Sequence, residues 1–261
     1  MEVLLPTTPA EAAELFGDGD RVTVVGGGTI VVPELTHGRL KPSRVLMLGN
    51  SGLDGLSRAN GVITIGATCS VAALEEGDEP LAAAARHVAD PEIRGQATAG
   101  GNLCSTAGAE VPRGDLQAPL IALGARVRST GAGGERTEPV EDFLADGAGR
   151  LVLDIAYDDV PRTSAYASVS RPHAHHYTIL AATATKADGT TRVAVTGAGP
   201  HGLRCPSVEA ALADGKAAAE AASAVLGDVS PADDALASAW YRARVLPTVV
   251  ARALADLEGS R

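Results

Sequence analysis

The sequence contains few cysteines and few aromatic residues. Three of its 261 residues are cysteine, and aromatic residues make up 3% of the chain. The cysteines, Cys69, Cys104 and Cys205, form no CxxC pattern and no Cys/His ligand spacing. This scarcity argues against a disulfide framework and against a cysteine-ligated zinc or iron–sulfur site. It favours a reducing compartment, so we expect a cytoplasmic protein.

The sequence also lacks an excess of basic residues and long apolar runs. Lys and Arg number 22 against 32 Asp and Glu, which gives a formal net charge of −10. Because nucleic-acid binding normally requires a basic face, this balance disfavours a nucleic-acid partner. No apolar stretch approaches membrane-spanning length without glycine, charged or polar breaks, so no membrane insertion is expected.

Glycine, in contrast, is abundant and clustered. Gly26, Gly27, Gly28 and Thr29 follow the β-branched run at residues 22–25. Residues without Cβ allow the backbone to turn tightly and approach an anion, so that successive N–H groups converge on phosphate oxygens. A tight turn after a buried strand is the alternative, and for this segment alone it is the more common explanation. The spacing is neither a Rossmann fingerprint nor a Walker loop.

A second glycine segment lies much further along the chain. It is Thr98-Ala99-Gly100-Gly101-Asn102. Two anion-ready segments are enough to hold both halves of a pyrophosphate without basic side chains. Together they predict a dinucleotide ligand.

The hydrophobic pattern predicts strands and helices in the first part of the chain. An alanine-rich helix is expected at residues 81–90, halted by Pro91, and Asp115 is placed to cap the helix that follows it. Residues 158–163 form the best candidate linker. Strands are expected at residues 22–25, 45–48, 62–67, 125–129 and 151–157.

The last part of the chain has a different pattern. Three β-rich runs, at residues 164–169, 177–185 and 192–196, predict an antiparallel sheet. The final helix is expected to start at Ser230-Pro231, with Asp233 and Asp234 in its first turn and a kink at Pro247.

In their order and spacing, these segments resemble the FAD-binding subunit of molybdenum hydroxylases, the family that contains xanthine dehydrogenase and the medium subunit of carbon monoxide dehydrogenase. The family's A-G-G-T-[DS]-L segment is similar to GGGTIV, and its I-x-I-G-A motif to ITIGA. Its I-R-N-x-A-T-x-G-G-N is similar to IRGQATAGGN, and its G-D-x-x-P-x-L-L-A-L-x-A to GDLQAPLIALGA. These matches span nearly the whole chain.

The resemblance implies an α+β fold of the vanillyl-alcohol-oxidase or PCMH type. Two α+β lobes, at about residues 1–55 and 56–160, would form an FAD-binding domain over residues 1–160. A small antiparallel sheet with helices would form a C-terminal domain at residues 161–261, like that of the carbon monoxide dehydrogenase flavoprotein. The implied cofactor is FAD, and the implied partners are a molybdopterin-binding large subunit and a 2Fe–2S small subunit. The implied activity is electron relay from iron–sulfur clusters to an external acceptor.

The resemblance also implies which residues contact FAD. One phosphate would meet the first segment, and the second segment would meet the other phosphate or the ribityl chain. Asp115 would contact the ribose or order the loop before its helix, and a plain N-cap is the alternative. The implied set is Gly26, Gly27, Gly28, Thr29, Ile30, Thr98, Gly100, Gly101, Asn102 and Asp115.

The chain departs from the family pattern at several positions. Ile30 stands where the family has Asp or Ser, and Gly95 where it has Asn. The family's aromatic-x-Lys falls on Tyr166-Ala167-Ser168, so no lysine is expected beside the flavin ring. Two alternatives therefore stay open: a free-standing flavoenzyme acting on a small metabolite, and an FAD-free scaffold with the same fold.

Two other features indicate no chemistry of their own. His173, His175 and His176 lack a partnering carboxylate or cysteine pattern, so no metal site is expected. Cys104 adjoins a glycine segment without an evident base, which predicts a buried small residue.

Overall fold

The computed structural model describes residues 1–105, 114–171 and 177–259. The three histidines considered as metal ligands fall outside these ranges. Within them the strands are β1 Glu2–Leu4, β2 Val22–Val25, β3 Arg44–Met47, β4 Leu56–Ala59, β5 Val62–Gly66, β6 Arg126–Thr130, β7 Arg136–Pro139, β8 Leu151–Asp158, β9 Thr163–Ser170, β10 Thr178–Ala187, β11 Thr190–Thr196 and β12 Leu203–Arg204. The α-helices are α1 Pro9–Phe16, α2 Val31–Thr36, α3 Val71–Leu74, α4 Leu81–Arg86, α5 Pro91–Gln96, α6 Ala99–Leu103, α7 Gln117–Ala122, α8 Val140–Asp146, α9 Pro206–Ala213, α10 Ala218–Ala222 and α11 Ala239–Gly259.

The chain forms two compact units, each assembled from separate segments. Unit 1 consists of Met1–Ala73, Pro91–Gly101 and Ala125–Asp159. Unit 2 consists of Leu74–Asp90, Asn102–Gly124 and the chain from Val160 onward. The expected domain boundary at residue 160 stays a prediction, because these units are discontinuous in sequence.

Unit 1 contains two sheets. The first is parallel, in the order β1-β3-β2, and the second is antiparallel, in the order β4-β5-β8-β6-β7. β8 lies at the centre of the second sheet, where Leu151, Leu153 and Ile155 are buried. Helix α1 begins where Thr8 accepts a hydrogen bond from the amide of Glu11, a standard N-cap. The α+β character predicted from the sequence is confirmed.

Unit 2 is built on one antiparallel sheet, in the order β12-β11-β10-β9. On β10, Leu180, Ala182 and Ala184 point into a core formed with α9, α10 and α11. The alternate residues point to the opposite face, where the Thr185 hydroxyl donates to the Ala122 carbonyl at the end of α7. Both faces are therefore covered, which explains why this strand is small and apolar over most of its length.

Two predicted helix boundaries are wrong. The helix predicted at residues 81–90 ends at Arg86, and Pro91 begins α5 rather than only stopping the preceding helix, since proline is favoured in a first helical turn. The last helix begins at Ala239, and its cap is Ser238, whose hydroxyl accepts from the Tyr241 amide at 3.2 Å. The helix then continues through Pro247.

Asp234, predicted in the first turn of that helix, lies before it and pairs with a buried arginine. Its carboxylate accepts from the amides of Leu236 and Ala237 and from Arg242 Nη2 at 2.6 Å. Arg242 Nη1 donates to the carbonyls of Ile179 and Gly197, so this side chain joins α11 to the sheet. None of the helices in the described ranges combines the length and hydropathy needed to cross a membrane.

We predict that this pair makes unit 2 sensitive to acid. Burial alone would raise the pKa of Asp234, but hydrogen bonds from two amides and Arg242 outweigh it and hold the pKa below its ordinary value. The unfolded carboxylate has a pKa of about 3.9, so the stabilisation is present above that pH and is lost as pH falls through the lower folded value. Asp234→Asn should lower the free energy of unfolding by about 1 to 3 kcal/mol at pH 7.

The measurement is denaturant unfolding of wild type and variant over a pH series. The difference between them should shrink below about pH 4, first as the unfolded carboxylate is protonated and then as the folded carboxylate loses its charge at lower pH. Asp233→Asn is the matched control, because Asp233 is exposed and makes one amide hydrogen bond. A wild-type/Asp234→Asn difference that stays constant into strong acid would contradict the assigned role.

Candidate functional site

The first glycine segment is a loop that connects β2 to α2 in unit 1. β2 pairs in parallel with β3, and the Leu48 amide donates to the Val25 carbonyl where the pairing ends. The chain then turns at Gly28, whose φ of +75° is a conformation that side chains with a Cβ rarely adopt. The Val32 amide donates to the Gly28 carbonyl at 2.9 Å, which starts the helix.

The structure brings the two glycine segments together. An added Cβ at Gly26 would lie 2.6 Å from Thr98 Oγ1, and one at Gly27 would overlap the carbonyl group of Gln96. Backbone therefore packs directly on backbone where the loop meets the end of α5. A Cβ at Gly27 would therefore force one of the two segments to move, whereas a Cβ at Gly26 would displace the Thr98 side chain.

The second glycine segment is not the loop that the sequence predicts. Residues 99–103 form the short helix α6, and Thr98 Oγ1 accepts from the Gly101 amide at 3.1 Å. The Ala99 amide donates to the Cys69 carbonyl at 2.8 Å, and the Gly100 amide to the Ala67 carbonyl at 2.9 Å. These donors are already used within the chain. Gly100 has a packing reason as well, since a Cβ there would press on Ala67.

The amides of residues 26–30 are in the opposite situation. In the described part of the chain, none of them has a hydrogen-bond acceptor. All five residues are partly exposed. Successive unpaired amides that lead into a helix N-terminus are the backbone arrangement that binds phosphate. Of the two segments, the first is thus the one whose amides have no acceptor among the described residues.

Side chains add little polarity to this loop. Ile30 is the N-cap of α2, and no side chain caps that helix. Pro33, at the third helical position, has no N–H to be capped, and the Val32 amide is already bonded to Gly28. The segment from Gly26 to Val32 contains no Lys or Arg. Any anion here would be held by main-chain dipoles, with the Thr29 hydroxyl as a side-chain donor within the segment.

Asn102 and Asp115 are both in unit 2. Asn102 is 6% exposed, and its Oδ1 accepts from the Leu116 amide at 2.9 Å. The N-cap position of α7 is Leu116 and no side chain caps that helix, so the expectation that Asp115 is the plain N-cap is wrong. Asp115 contributes negative charge near Tyr166: burial first, and Asp115 second, raise the pKa of that phenol.

Several further expectations can be compared with the structure. Tyr166 lies on β9, its ring centroid 5.2 Å from that of His87 in the same unit. Cys104 is exposed, so the prediction of a buried small residue is wrong at this position. Among the described residues no cluster of His, Cys, Asp and Glu could hold a metal ion. Sequence reasoning missed Gln96, Ala67 and Cys69, whose carbonyls shape the site without any side-chain signal.

Two family models match the chain. The FAD-binding domain in molybdopterin dehydrogenase matches residues 1–155, and the carbon monoxide dehydrogenase flavoprotein C-terminal domain matches residues 164–257.

Individual relatives match over nearly their whole length. The alpha subunit of the 6-hydroxypseudooxynicotine dehydrogenase complex of Paenarthrobacter nicotinovorans is 30% identical, with 94% of this chain and 90% of the relative covered. The carbon monoxide dehydrogenase medium chain of Hydrogenophaga pseudoflava is 25% identical, with 95% and 94% covered. A chain of the solved carbon monoxide dehydrogenase from the same organism superimposes with a TM-score of 0.87 at 25% identity, over 99% of this chain and 97% of that one.

We predict that Gly27→Ala disrupts the meeting of the two segments. The new methyl group would overlap the Gln96 carbonyl, and overpacking of this kind costs about 1 to 3 kcal/mol. The measurement is chemical unfolding of the cofactor-free chain. Gly95→Ala is the control, because an added Cβ there meets nothing within 4 Å and helix α5 should gain from alanine. Equal stability of the two variants would show that the close approach is not a constraint.

Proposed function

The chain belongs to the family of FAD-binding subunits of molybdenum hydroxylases, and we propose that it relays electrons through FAD between iron–sulfur clusters of such a complex and an external acceptor. It is accordingly a flavin-dependent oxidoreductase subunit. Its match to relatives over 90% or more of their length supports the assignment for the whole chain. The observation in the fold that carries the proposal is the row of unpaired amides at residues 26–30.

The residues present fit a pyrophosphate. The partly exposed loop at residues 26–30 offers consecutive N–H donors, and glycine keeps side chains from covering them. We propose that these residues contact phosphate directly, with the Thr29 hydroxyl as an added donor. Thr98, Gly100 and Gly101 are proposed as neighbouring cofactor-binding residues that hold this surface in place. Asn102 and Asp115 complete the proposed set.

Bound FAD supplies the redox chemistry, since the flavin ring accepts and donates the electrons. The part of the protein is to bind the cofactor, orient it and exclude competing reactions. No side chain of the chain needs to act as a general acid or base for electron relay. This agrees with the described site, where main-chain groups and glycines predominate.

The proposed partners are a molybdopterin-binding large subunit and a 2Fe–2S small subunit. The relatives support this by their names, which are the alpha subunit of a dehydrogenase complex, the medium subunit of nicotine 6-hydroxylase and the medium chain of carbon monoxide dehydrogenase. The free-standing flavoenzyme is kept as a second candidate, because Ser168 stands where the family pattern has lysine.

Two further proposals concern organisation and location. We propose that residues 1–160 form the FAD-binding domain and residues 161–261 the C-terminal domain. The ranges of the two family models, 1–155 and 164–257, support this division. We also propose a cytoplasmic location. The three cysteines support it, because none of them is paired.

We predict that the full chain purifies as a yellow protein with one FAD per chain. The measurement is the visible absorption spectrum, with quantification of FAD released by denaturation. When the chain is isolated from its native cells under gentle conditions, mass analysis should find a larger molybdopterin-binding chain and a smaller iron–sulfur chain with it. Turnover of a small substrate by the isolated chain would favour the free-standing flavoenzyme. A colourless chain that fails to bind added FAD would overturn both.

We predict that Ile30→Ser binds FAD about fivefold more tightly than Ile30→Ala. Both variants remove the same hydrophobic side chain, so their difference isolates one hydroxyl group. That hydroxyl has no helix amide to cap, because Pro33 has no N–H and the Val32 amide is occupied. It is therefore available to a phosphate oxygen, and a net gain of about 1 kcal/mol corresponds to about fivefold.

The affinities are measured by titrating FAD into the cofactor-free variants and following flavin fluorescence. Thermal unfolding of the same cofactor-free variants shows whether they are equally folded. Equal affinities of the Ser and Ala variants would mean that residue 30 does not face the phosphates. The loop would then bind, if at all, from its glycine end only.

A further inference from the structure

Unit 2 contains a small polar cavity outside the loop at residues 26–30. Its volume for water-sized molecules is about 20 Å³. Ser105, Asp115, Gln117, Thr196, His201 and Arg242 are among the residues that line it. They come from four separate parts of the chain, which the fold of this unit brings to one place.

Four of the lining residues carry buried polar atoms that have no hydrogen-bond partner among the residues that the structure describes. These are Ser105 Oγ, Thr178 Oγ1, Thr196 Oγ1 and Arg242 Nε. Ser105, Thr196 and Arg242 are 7%, 7% and 2% exposed, so bulk water does not reach their atoms freely. A buried donor or acceptor without a partner costs free energy, and several at one cavity indicate a shared partner rather than independent defects.

The size and charge of the cavity indicate what that partner is. A water molecule needs roughly 10 to 15 Å³ of such volume and two to four polar partners, and this cavity provides both. An anion is disfavoured, because Asp115 lines the cavity and Arg242 already pairs with Asp234. A cation is disfavoured by the guanidinium group of Arg242. We propose that the cavity holds an ordered internal water that bridges Ser105, Thr196 and Arg242.

Such a water would connect parts of unit 2 that are distant in sequence. Thr196 ends β11, Arg242 belongs to α11 and Ser105 follows α6. Gln117 already connects nearby segments directly: its Nε2 donates to the carbonyls of Leu103 and Ser105, and its Oε1 accepts from the Gly202 amide. The water extends this network to the sheet and to the last helix, so its loss should destabilise the unit.

The chain offers a matched pair of threonines for the test. Thr196 lines the cavity, whereas Thr183, on the same face of the same sheet, is not among the lining residues. Both hydroxyls are buried, and neither has a hydrogen-bond partner in the described ranges. Replacing Thr by Val keeps the shape and removes only the hydroxyl. A hydroxyl without any partner is removed at no cost, whereas a hydroxyl bonded to water is removed at the cost of that bond.

We expect Thr196→Val to lower the midpoint of thermal unfolding of the full chain by about 2 to 4 °C. Thr183→Val should leave it unchanged or raise it. Ser105→Ala should lower it like Thr196→Val, which tests the bridge from another wall of the cavity. A high-resolution crystal structure should show density for a water within hydrogen-bonding distance of the three groups. An empty cavity in that structure, or a Thr196→Val variant as stable as Thr183→Val, overturns the proposal.

Discussion

The structure of unit 1 depends on one close approach of backbone to backbone. At Gly26 and Gly27 the loop after β2 packs so tightly on residues 96–98 that a single Cβ would not fit. This contact holds the loop in a fixed shape without using its amides. The neighbouring segment uses its own amides to bond to the carbonyls of Cys69 and Ala67. One segment therefore acts as a rigid support, and the other keeps its donors available for a ligand.

This division explains how an acidic chain can bind a dinucleotide. With a formal net charge of −10, the chain does not attract anions over long distances. Main-chain N–H groups act only at hydrogen-bonding distance and carry no net charge, so they select a phosphate by its shape and position. The redox properties of a bound flavin are then determined by groups elsewhere in the protein. The requirement is that the donors stay unpaired and ordered before the ligand arrives, which the glycine contact provides.

The sequence identifies the two glycine segments that the structure brings together, but not how each segment uses its amides. Gly26, Gly27 and Gly28 and the second glycine segment stand out because glycine clusters have a direct conformational meaning. Sequence alone cannot show which of the two segments uses its amides internally, since the acceptors at Ala67 and Cys69 are carbonyl groups that every residue has. The sequence also does not show that the Oδ1 atom of Asn102, a predicted ligand contact, accepts a hydrogen bond from the Leu116 amide. The predicted start of the last helix is too early because Ser-Pro followed by two Asp residues is a common helix start. Here Asp234 bonds to irregular chain and Arg242, and Asp233 reaches forward to the Ala239 amide, where α11 begins.

Unit 2 also contains a close backbone approach at a glycine, in this case beside the buried charge of Arg242. Gly197 has a φ of +78°, and a Cβ there would overlap the Ile179 carbonyl and lie 3.0 Å from Arg242 Nη1. The glycine thus lets two carbonyls converge on one guanidinium group, while Asp234 balances its charge. Only arginine has donors in a fixed planar fork that reaches two carbonyls and a carboxylate together; lysine carries its donors on a single nitrogen. At Gly27 in unit 1 and at Gly197 in unit 2, the absence of a Cβ thus lets the backbone lie directly against a carbonyl group.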